Sequence, residues 1–151
     1  MRPILILENI RSAYNVGTMI RTADALGRDV ICGGFTAHPA TQPKVKKTSL
    51  GAEEYVQILS FSETSAAIDA LKSRGYTVIA AEMTSESSWL ERAAHEMLPP
   101  LAVVMGNEIT GISPETLALC DHIIHIPMQG VKESLNVAEA AAIMMRELGK
   151  R

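Results

Sequence analysis

Polar side chains and a flexible backbone occur together in the segment 126–137, near the C-terminus of the chain. Gly130 gives the main chain conformational freedom. Ser134 and Asn136 lie where a helix is predicted to begin, and the first amides of a helix have no partner within it. The segment therefore predicts a site that holds a polar small molecule through its main chain.

A second group of polar residues lies near the N-terminus, where Asn15 and Arg21 belong to one predicted helix. Asn15 is predicted as its N-cap. Arg21 lies among apolar residues, and a buried arginine is costly unless it is paired. It either reaches solvent or a neighbour such as Asp24, or it points at a phosphate or a substrate oxygen. These residues alone leave both interpretations open.

The segment 106–113 follows a predicted strand and precedes a helix, with the spacing Gly-x4-Gly-x-Ser of a phosphate-binding loop. Ile112 stands where that loop has lysine, which argues against a nucleotide triphosphatase. The glycines allow a ligand to approach the backbone closely, or they only make a tight turn. The chain has neither the G-x-S-x-G of hydrolases nor the G-x-G-x-x-G of dinucleotide enzymes.

Cys120, His122 and His125 suggest a metal site, but their spacing disfavours it. Alternate residues of a strand share a face, so Cys120 and His122 can converge while His125 points away. No second pair of ligands accompanies them, and we predict no metal. Cys32 is the other cysteine, and a disulfide is not expected in a cytoplasmic protein.

Composition indicates one globular domain spanning residues 1–151. No apolar run reaches the ~18 residues of a membrane span, no signal peptide is recognisable, and we expect a cytoplasmic protein. The net charge of −3 argues against purely electrostatic binding of nucleic acid. Local basic patches remain candidates for RNA contacts: Arg11, Arg21, Arg28, Lys44, Lys46 and Lys47. By themselves, the three lysines are more simply interpreted as a solvated loop.

Strands and helices alternate along the chain, which predicts an α/β domain with a mostly parallel sheet and helices on both faces. Strands are predicted at 4–7, 29–32, 55–61, 76–81, 101–105 and 123–126. Helices are predicted at 16–26, 62–75, 87–95, 113–120 and 136–148, and the segment 36–51 is predicted to be irregular. Ligands of such sheets bind beyond the carboxyl ends of the strands, so we expect the site after Leu7, Met105 and Ile126.

Three motifs in order resemble the SpoU (TrmH-type) branch of the SPOUT RNA methyltransferases. They are residues 8–23 (ENIRSAYNVGTMIRTA), 104–112 (VMGNEITGI), and 126–130 (IPMQG) with 134–137 (SLNV). Residues 46–52 are similar to a further segment of that family. Ala138 departs from the pattern, since many relatives have serine there.

The resemblance implies a C-terminal trefoil knot that binds S-adenosyl-L-methionine, and methyl transfer to a ribose 2′-hydroxyl of tRNA or rRNA, without a metal. Recognition of RNA would then use the dimer surface, the basic loop 44–47 or a partner protein, and tRNA is slightly favoured. The cofactor-binding positions it implies are Met105, Gly106, Ile126, Pro127, Met128, Gly130, Ser134 and Leu135.

The same resemblance assigns catalytic positions to Arg21, Asn15, Ser134, Asn136 and Glu108. Arg21 would orient a phosphate and stabilise the developing alkoxide. Asn15 and Asn136 would position groups, Ser134 would hydrogen-bond the backbone or substrate, and Glu108 would orient Arg21 or an element of a neighbouring subunit.

Two further expectations concern assembly and catalysis. The last predicted helix is rich in alanine and methionine, which pack in a core or make a close helix contact; since relatives dimerise, a homodimer is predicted. The alternative to an enzyme is a non-catalytic S-adenosylmethionine- or nucleotide-binding module, or an RNA-binding accessory protein. The acidic pI of about 5.8 favours it, and the intact catalytic positions oppose it.

Overall fold

The computed structural model describes residues 1–150 and contains one seven-stranded sheet. Its strands are β1 (Ile4–Glu8), β2 (Asp29–Gly33), β3 (Ile58–Phe61), β4 (Thr77–Ala81), β5 (Ser88–Trp89), β6 (Leu101–Met105) and β7 (His122–His125). Their order is β3-β2-β1-β6-β4-β7-β5, and every neighbouring pair is parallel. The predicted parallel sheet is confirmed.

Helices cover both faces of this sheet, as predicted. They are α1 (Ala13–Ala25), α2 (Lys46–Ser49), α3 (Thr64–Ser73), α4 (Leu90–Ala93), α5 (Pro114–Leu119) and α6 (Val137–Leu148). Leu5 and Leu7 of β1 pack in the core with α1, α4 and α6, whereas Ile4 and Ile6 pack in the core with α3 and α5. Both faces of β1 are thus buried, which explains its uninterrupted apolar sequence.

Helix α1 begins before the predicted residue 16, and Asn15 is not its N-cap. Ser12 is the cap, with extended backbone and an Oγ that accepts from the Asn15 amide at 3.1 Å. Asn15 therefore lies inside the first turn. Gly27, with φ of +65°, follows the last turn as predicted, because a left-handed residue there favours glycine.

The segment 36–51, predicted to be irregular, contains a 3₁₀ turn (Pro43–Val45) followed by α2. These pack directly on α1 at Gly17, where a Cβ atom would lie 2.1 Å from both Val45 O and Thr48 Oγ1. The short helix is thus held by a tertiary contact rather than by its own periodicity.

Other element boundaries also differ from the predictions. Helix α3 starts after Glu63 rather than with a cap at Ser62. The helix predicted at 87–95 is instead β5 followed by the short α4, because Ser88 and Trp89 pair with β7.

Among residues 1–150, none of the helices has the length and apolar character that a membrane span requires. The C-terminal trefoil knot implied by the resemblance stays a prediction. The order of the strands does not show whether the C-terminal segment passes through a loop of the chain.

Candidate active site

A cavity of about 680 Å³ opens at the carboxyl ends of β4, β6 and β7, a size typical of small-molecule sites. Its walls come from the segments 81–83, 105–111 and 125–140. Of the predicted site residues, it is lined by Met105, Gly106, Glu108, Ile126, Met128, Ser134, Leu135 and Asn136. The sequence thus predicted the ends of β6 and β7 as parts of the site. It did not predict the end of β4, which also lines the cavity.

Several predicted residues lie elsewhere. Pro127, Gly130, Asn15 and Arg21 do not line the cavity. Gly130 is exposed, and a Cβ atom there would meet no atom within 4 Å. A side chain at this position would therefore meet none of the chain's own atoms, and the packing does not require glycine here.

Gly106, in contrast, is required by the fold of its own loop. A Cβ atom at this position would lie 2.4 Å from Ile112 N and 2.5 Å from the carbonyl carbon of Gly111, closer than real Cβ atoms come to backbone. The loop folds back on itself through an antiparallel bridge between Asn107 and Gly111. Gly106 therefore allows the loop to close on the end of β6.

Asn107 fastens this loop, a role that sequence reasoning did not identify. Its Oδ1 accepts from the amides of Ile109 (2.9 Å) and Thr110 (3.0 Å), and its Nδ2 donates to Asn9 O at 2.7 Å. The side chain thus shapes the turn and ties it to the loop after β1. The only sequence signal was its place in the second motif.

Glu108 has partners other than the predicted Arg21. Its carboxylate accepts from the amide of Arg11 at 2.9 Å and from that of Ser12 at 3.1 Å. These amides precede the first turn of α1, where negative charge is favoured. Within this chain, Glu108 therefore positions the start of α1 and does not orient Arg21.

Asn136 and Asn15 are brought together although 121 residues separate them. Asn136 Nδ2 donates to Asn15 Oδ1 at 3.2 Å, and Asn136 Oδ1 accepts from Ala138 N at 2.8 Å. Asn136 is thus the N-cap of α6 and also the link to α1. The expected positioning role of both residues is consistent with this contact at the cavity rim.

Arg21 is exposed on α1 and has no hydrogen-bond or ion-pair partner among residues 1–150, Asp24 included. The sequence left open whether Arg21 reaches solvent, pairs with Asp24 or points at a substrate. Within the single chain, its side chain reaches solvent. Arg28 was predicted to belong to a basic surface patch, but it is buried, and its Nη2 donates to Met145 O. Burial lowers the pKa of Arg28.

Two carboxylates that the sequence did not single out also hold the loop 106–113. Glu82, directly after β4, accepts from Ile112 N at 2.9 Å. Glu8, buried at the end of β1, accepts from Ser113 N at 2.7 Å and from the hydroxyl of Thr116. In the sequence, both could have been noticed because each is an acidic residue at the carboxyl end of an apolar strand.

Cys120, His122 and His125 are not arranged together as a set of metal ligands. Burial raises the pKa of the Cys120 thiol to about 12, with the charges of Asp121 and Glu8 adding to the effect. No group of histidine, cysteine and carboxylate side chains within residues 1–150 is arranged to hold a metal ion.

A sequence profile described as the SpoU rRNA Methylase family matches residues 2–146. A protein from Staphylococcus haemolyticus (strain JCSC1435), named for the TrmH family of tRNA/rRNA methyltransferases, is 35% identical over 148 residues. That match covers 98% of this chain and 58% of the relative, so the chain spans somewhat more than half the length of such relatives.

Solved structures agree with the sequence comparison. An rRNA methyltransferase from Sinorhizobium meliloti with bound AdoMet superposes with a TM-score of 0.88 at 29% identity, covering 97% of this chain and 55% of that one. A protein studied for "2-OH methylation of C/U34 on tRNA" has a TM-score of 0.83 at 28% identity, covering 98% of this chain and 97% of that one.

Proposed function

Because the chain belongs to the SpoU rRNA methylase family, we propose that it transfers a methyl group from S-adenosyl-L-methionine to a ribose 2′-hydroxyl of RNA. The observation that carries the proposal is the hydrogen bond between Asn136 and Asn15 at the rim of the cavity. It joins a residue of the first motif to a residue of the third. Glu108, from the second motif, lines the same cavity.

The chemistry of the cavity wall fits S-adenosylmethionine. Met83, Met105 and Met128 offer polarisable apolar surface for a flat base. The charged side chains on the wall are the carboxylates of Glu82, Glu108 and Glu133, and no lysine or arginine among residues 1–150 lines it. A wall of this kind favours a ligand that carries positive charge. When bound, S-adenosylmethionine supplies a methyl group activated by a sulfonium.

The residues of the chain would hold and orient the acceptor. In the transfer, the ribose 2′-oxygen forms a bond to the methyl carbon, the carbon–sulfur bond breaks with its electron pair going to sulfur, and the hydroxyl proton leaves to solvent. A 2′-hydroxyl is a weak nucleophile at neutral pH, so alignment and stabilisation of the developing alkoxide are needed. Asn15 and Asn136 would orient groups at the rim, Ser134 would hydrogen-bond the acceptor or the backbone, and the guanidinium of Arg21 would hold the alkoxide or an adjacent phosphate.

We further propose that the active form is a homodimer. Arg21 is exposed on α1 and does not line the cavity of its own chain, so a second copy is the simplest source of the arginine. Helix α6 packs beside α1, and it leaves Ile143 43% exposed, with Leu135 before it 38% exposed. An interface on this face would cover these apolar side chains and bring α1 of one protomer to the cavity of the other.

RNA would bind along the outer surface of α1 and α2. Arg11, Lys44, Lys46 and Lys47 are exposed and form no ion pair within residues 1–150. Thr48 Oγ1 donates to Tyr14 O at 2.8 Å, which fixes α2 beside the first turn of α1. Such basic groups contact phosphates without reading sequence. We keep tRNA as the first substrate to test, ahead of rRNA.

The test measures labelled methyl transfer from S-adenosylmethionine to total tRNA and, separately, to unmodified rRNA, followed by digestion and mass spectrometry of the nucleosides. A 2′-O-methyl nucleoside in one pool, reduced roughly 100-fold or more by Arg21→Ala, is expected. Base methylation would overturn the ribose assignment. Cofactor binding without transfer to either pool would support the non-catalytic alternative.

A further inference from the structure

His125 lies on the cavity wall at the end of β7, and the proposed reaction gives it no role. In the sheet, β4 and β6 separate β7 from β1. The candidate catalytic residues Asn15 and Glu108 gather at the loop after β1 and at the start of α1. His125 is therefore at the end of the cavity that lies away from the expected transfer.

Hydrogen bonds around Ser87 determine which nitrogen of His125 carries a proton. Ser87 Oγ lies 3.0 Å from Thr84 N, 2.8 Å from Thr84 O and 2.8 Å from His125 Nδ1. Three such contacts need three protons. The Thr84 amide supplies one and the Ser87 hydroxyl supplies one, to Thr84 O, so the third has to be on His125 Nδ1.

This assignment leaves Nε2 of the neutral imidazole as a hydrogen-bond acceptor with no protein partner among residues 1–150. Several other polar side chains of the wall already have partners, whereas Ser134 and Glu133 have none among residues 1–150. Asn136 caps α6 and Asn107 closes its loop. Glu82 accepts from Ile112 N through one oxygen. His125 is thus held in place by Ser87, and its ring lies on the same cavity wall as the apolar side chains of Met83 and Ile126.

We propose that His125 Nε2 accepts a hydrogen bond from the 6-amino group of adenine and thereby makes the cavity specific for an adenine nucleoside. The inference rests on the proposed binding of S-adenosylmethionine. The base is the part of that ligand that suits an apolar wall remote from the transfer. A 6-oxo purine presents an acceptor at the same position, so its lone pair would face that of Nε2. The ammonium of the amino-acid tail is the other donor that could reach this acceptor.

The experiment measures the affinity of the full chain, by calorimetry at pH 8, for three ligands. S-adenosylhomocysteine has both donors, S-inosylhomocysteine lacks the 6-amino group, and 5′-methylthioadenosine lacks the tail. The diagnostic variant is His125→Asn, because its amide nitrogen can still donate to Ser87 while nothing replaces Nε2. His122→Asn is the matched control, since His122 lies on the same strand but is exposed and outside the cavity.

The wild-type protein and His122→Asn are expected to bind S-adenosylhomocysteine roughly tenfold or more tighter than S-inosylhomocysteine. His125→Asn should lose that preference through weaker binding of both adenine ligands. An unchanged preference in this variant overturns the role of His125. Weakened binding of S-adenosylhomocysteine alone, with 5′-methylthioadenosine unaffected, assigns Nε2 to the ammonium and overturns the adenine assignment. If the wild-type protein binds none of the three ligands, the proposed function falls together with this inference.

Discussion

Asn136 Nδ2 donates to Asn15 Oδ1 across 3.2 Å, and this contact connects the first turn of α1 to the N-cap of α6. The two helices also pack side by side. Asn136 Oδ1 meanwhile caps α6 through the Ala138 amide. One side chain therefore combines a local structural role with a long-range link at the cavity rim, and substitutions can separate the two.

Replacing Asn136 distinguishes the cap from the link. Asn136→Ala should reduce the free energy of unfolding by about 1 kcal/mol, because the amides at the start of α6 lose their acceptor. Asn136→Ser keeps a good capping residue but is too short to reach Asn15, so its stability should stay close to that of the wild type. Both variants should lose methyl transfer. Urea denaturation and the transfer assay check this, and full activity of Asn136→Ser would show that the link is dispensable.

Gly106 and Gly130 provide a matched pair for the same substitution. Gly106→Ala should destabilise the protein by about 1–3 kcal/mol and weaken ligand binding, because the new methyl group would overlap the backbone at Ile112. Gly130→Ala adds a methyl group in open space and should change neither. Thermal unfolding and binding of S-adenosylhomocysteine provide the comparison. Equal effects at the two positions would contradict the packing argument.

Glu108→Gln tests the attachment of the second motif to α1. An amide oxygen can still accept from Arg11 N or Ser12 N, but the charge assistance is lost. The expected loss of stability is at most about 1 kcal/mol, since the site is exposed, whereas methyl transfer should fall more strongly through displacement of α1. Glu54→Gln, also on the surface, is the control for loss of one charge. A decrease in transfer that is the same in both variants would argue against a specific role of Glu108.

The basic surface of α2 predicts a dependence on salt. Lys46→Ala and Lys47→Ala should weaken RNA binding and lower the slope of log affinity against log salt by about 0.7–0.9 for each lysine that contacts a phosphate. Binding of S-adenosylhomocysteine should not change, because neither lysine lines the cavity. Lys150→Ala, which removes a lysine paired with Glu147, serves as the control. Filter binding to tRNA at several salt concentrations measures the slope, and an unchanged slope would exclude these lysines from the RNA interface.

Cys32, which is buried, and Cys120, which is partly buried, predict a loss of stability at alkaline pH. Burial raises the pKa of Cys32 and of Cys120 to about 12, from an ordinary value of 9.0. Because the folded pKa is raised, the stabilisation is complete below pH 9 and is lost as the pH rises from about 9 towards 12. The double variant Cys32→Ala/Cys120→Ala should therefore show a shallower decline than the wild type. Urea denaturation between pH 7 and 10.5 measures both, and parallel curves would contradict the shift.

The sequence predicted those parts of the fold that depend on local patterns. Strands β1 and β6 are buried on both faces, so their apolar runs are sufficient to identify them. The start of α6 at about residue 136 followed from the same kind of local signal. The start of α1 at Ser12 was missed because its first turn contains few buried residues, and α2 was missed because it depends on close packing against Gly17.

The candidate site was predictable only where a motif carried it. Which strand ends meet depends on the order β6-β4-β7, and chain order does not indicate that β4 lies between two later strands. Glu82, and the pair of Ser87 with His125, were therefore not recognised as neighbours of the loops after Met105 and Ile126. The contacts of Glu108 with the amides of Arg11 and Ser12 were not foreseen for the same reason, since motif positions do not specify which groups touch.

The position of β4 between β6 and β7 also has a consequence during synthesis on the ribosome. When residues 77–81 leave the exit tunnel, β1, β2 and β3 can already pair, but β4 has neither neighbour. The apolar strand has to wait for residues 101–105 and 122–125 to be translated before it can join the sheet. Nascent chains that end before β6 should therefore expose β4 to chaperones and proteases, and the ligand cavity can form only once translation has passed its last wall in α6.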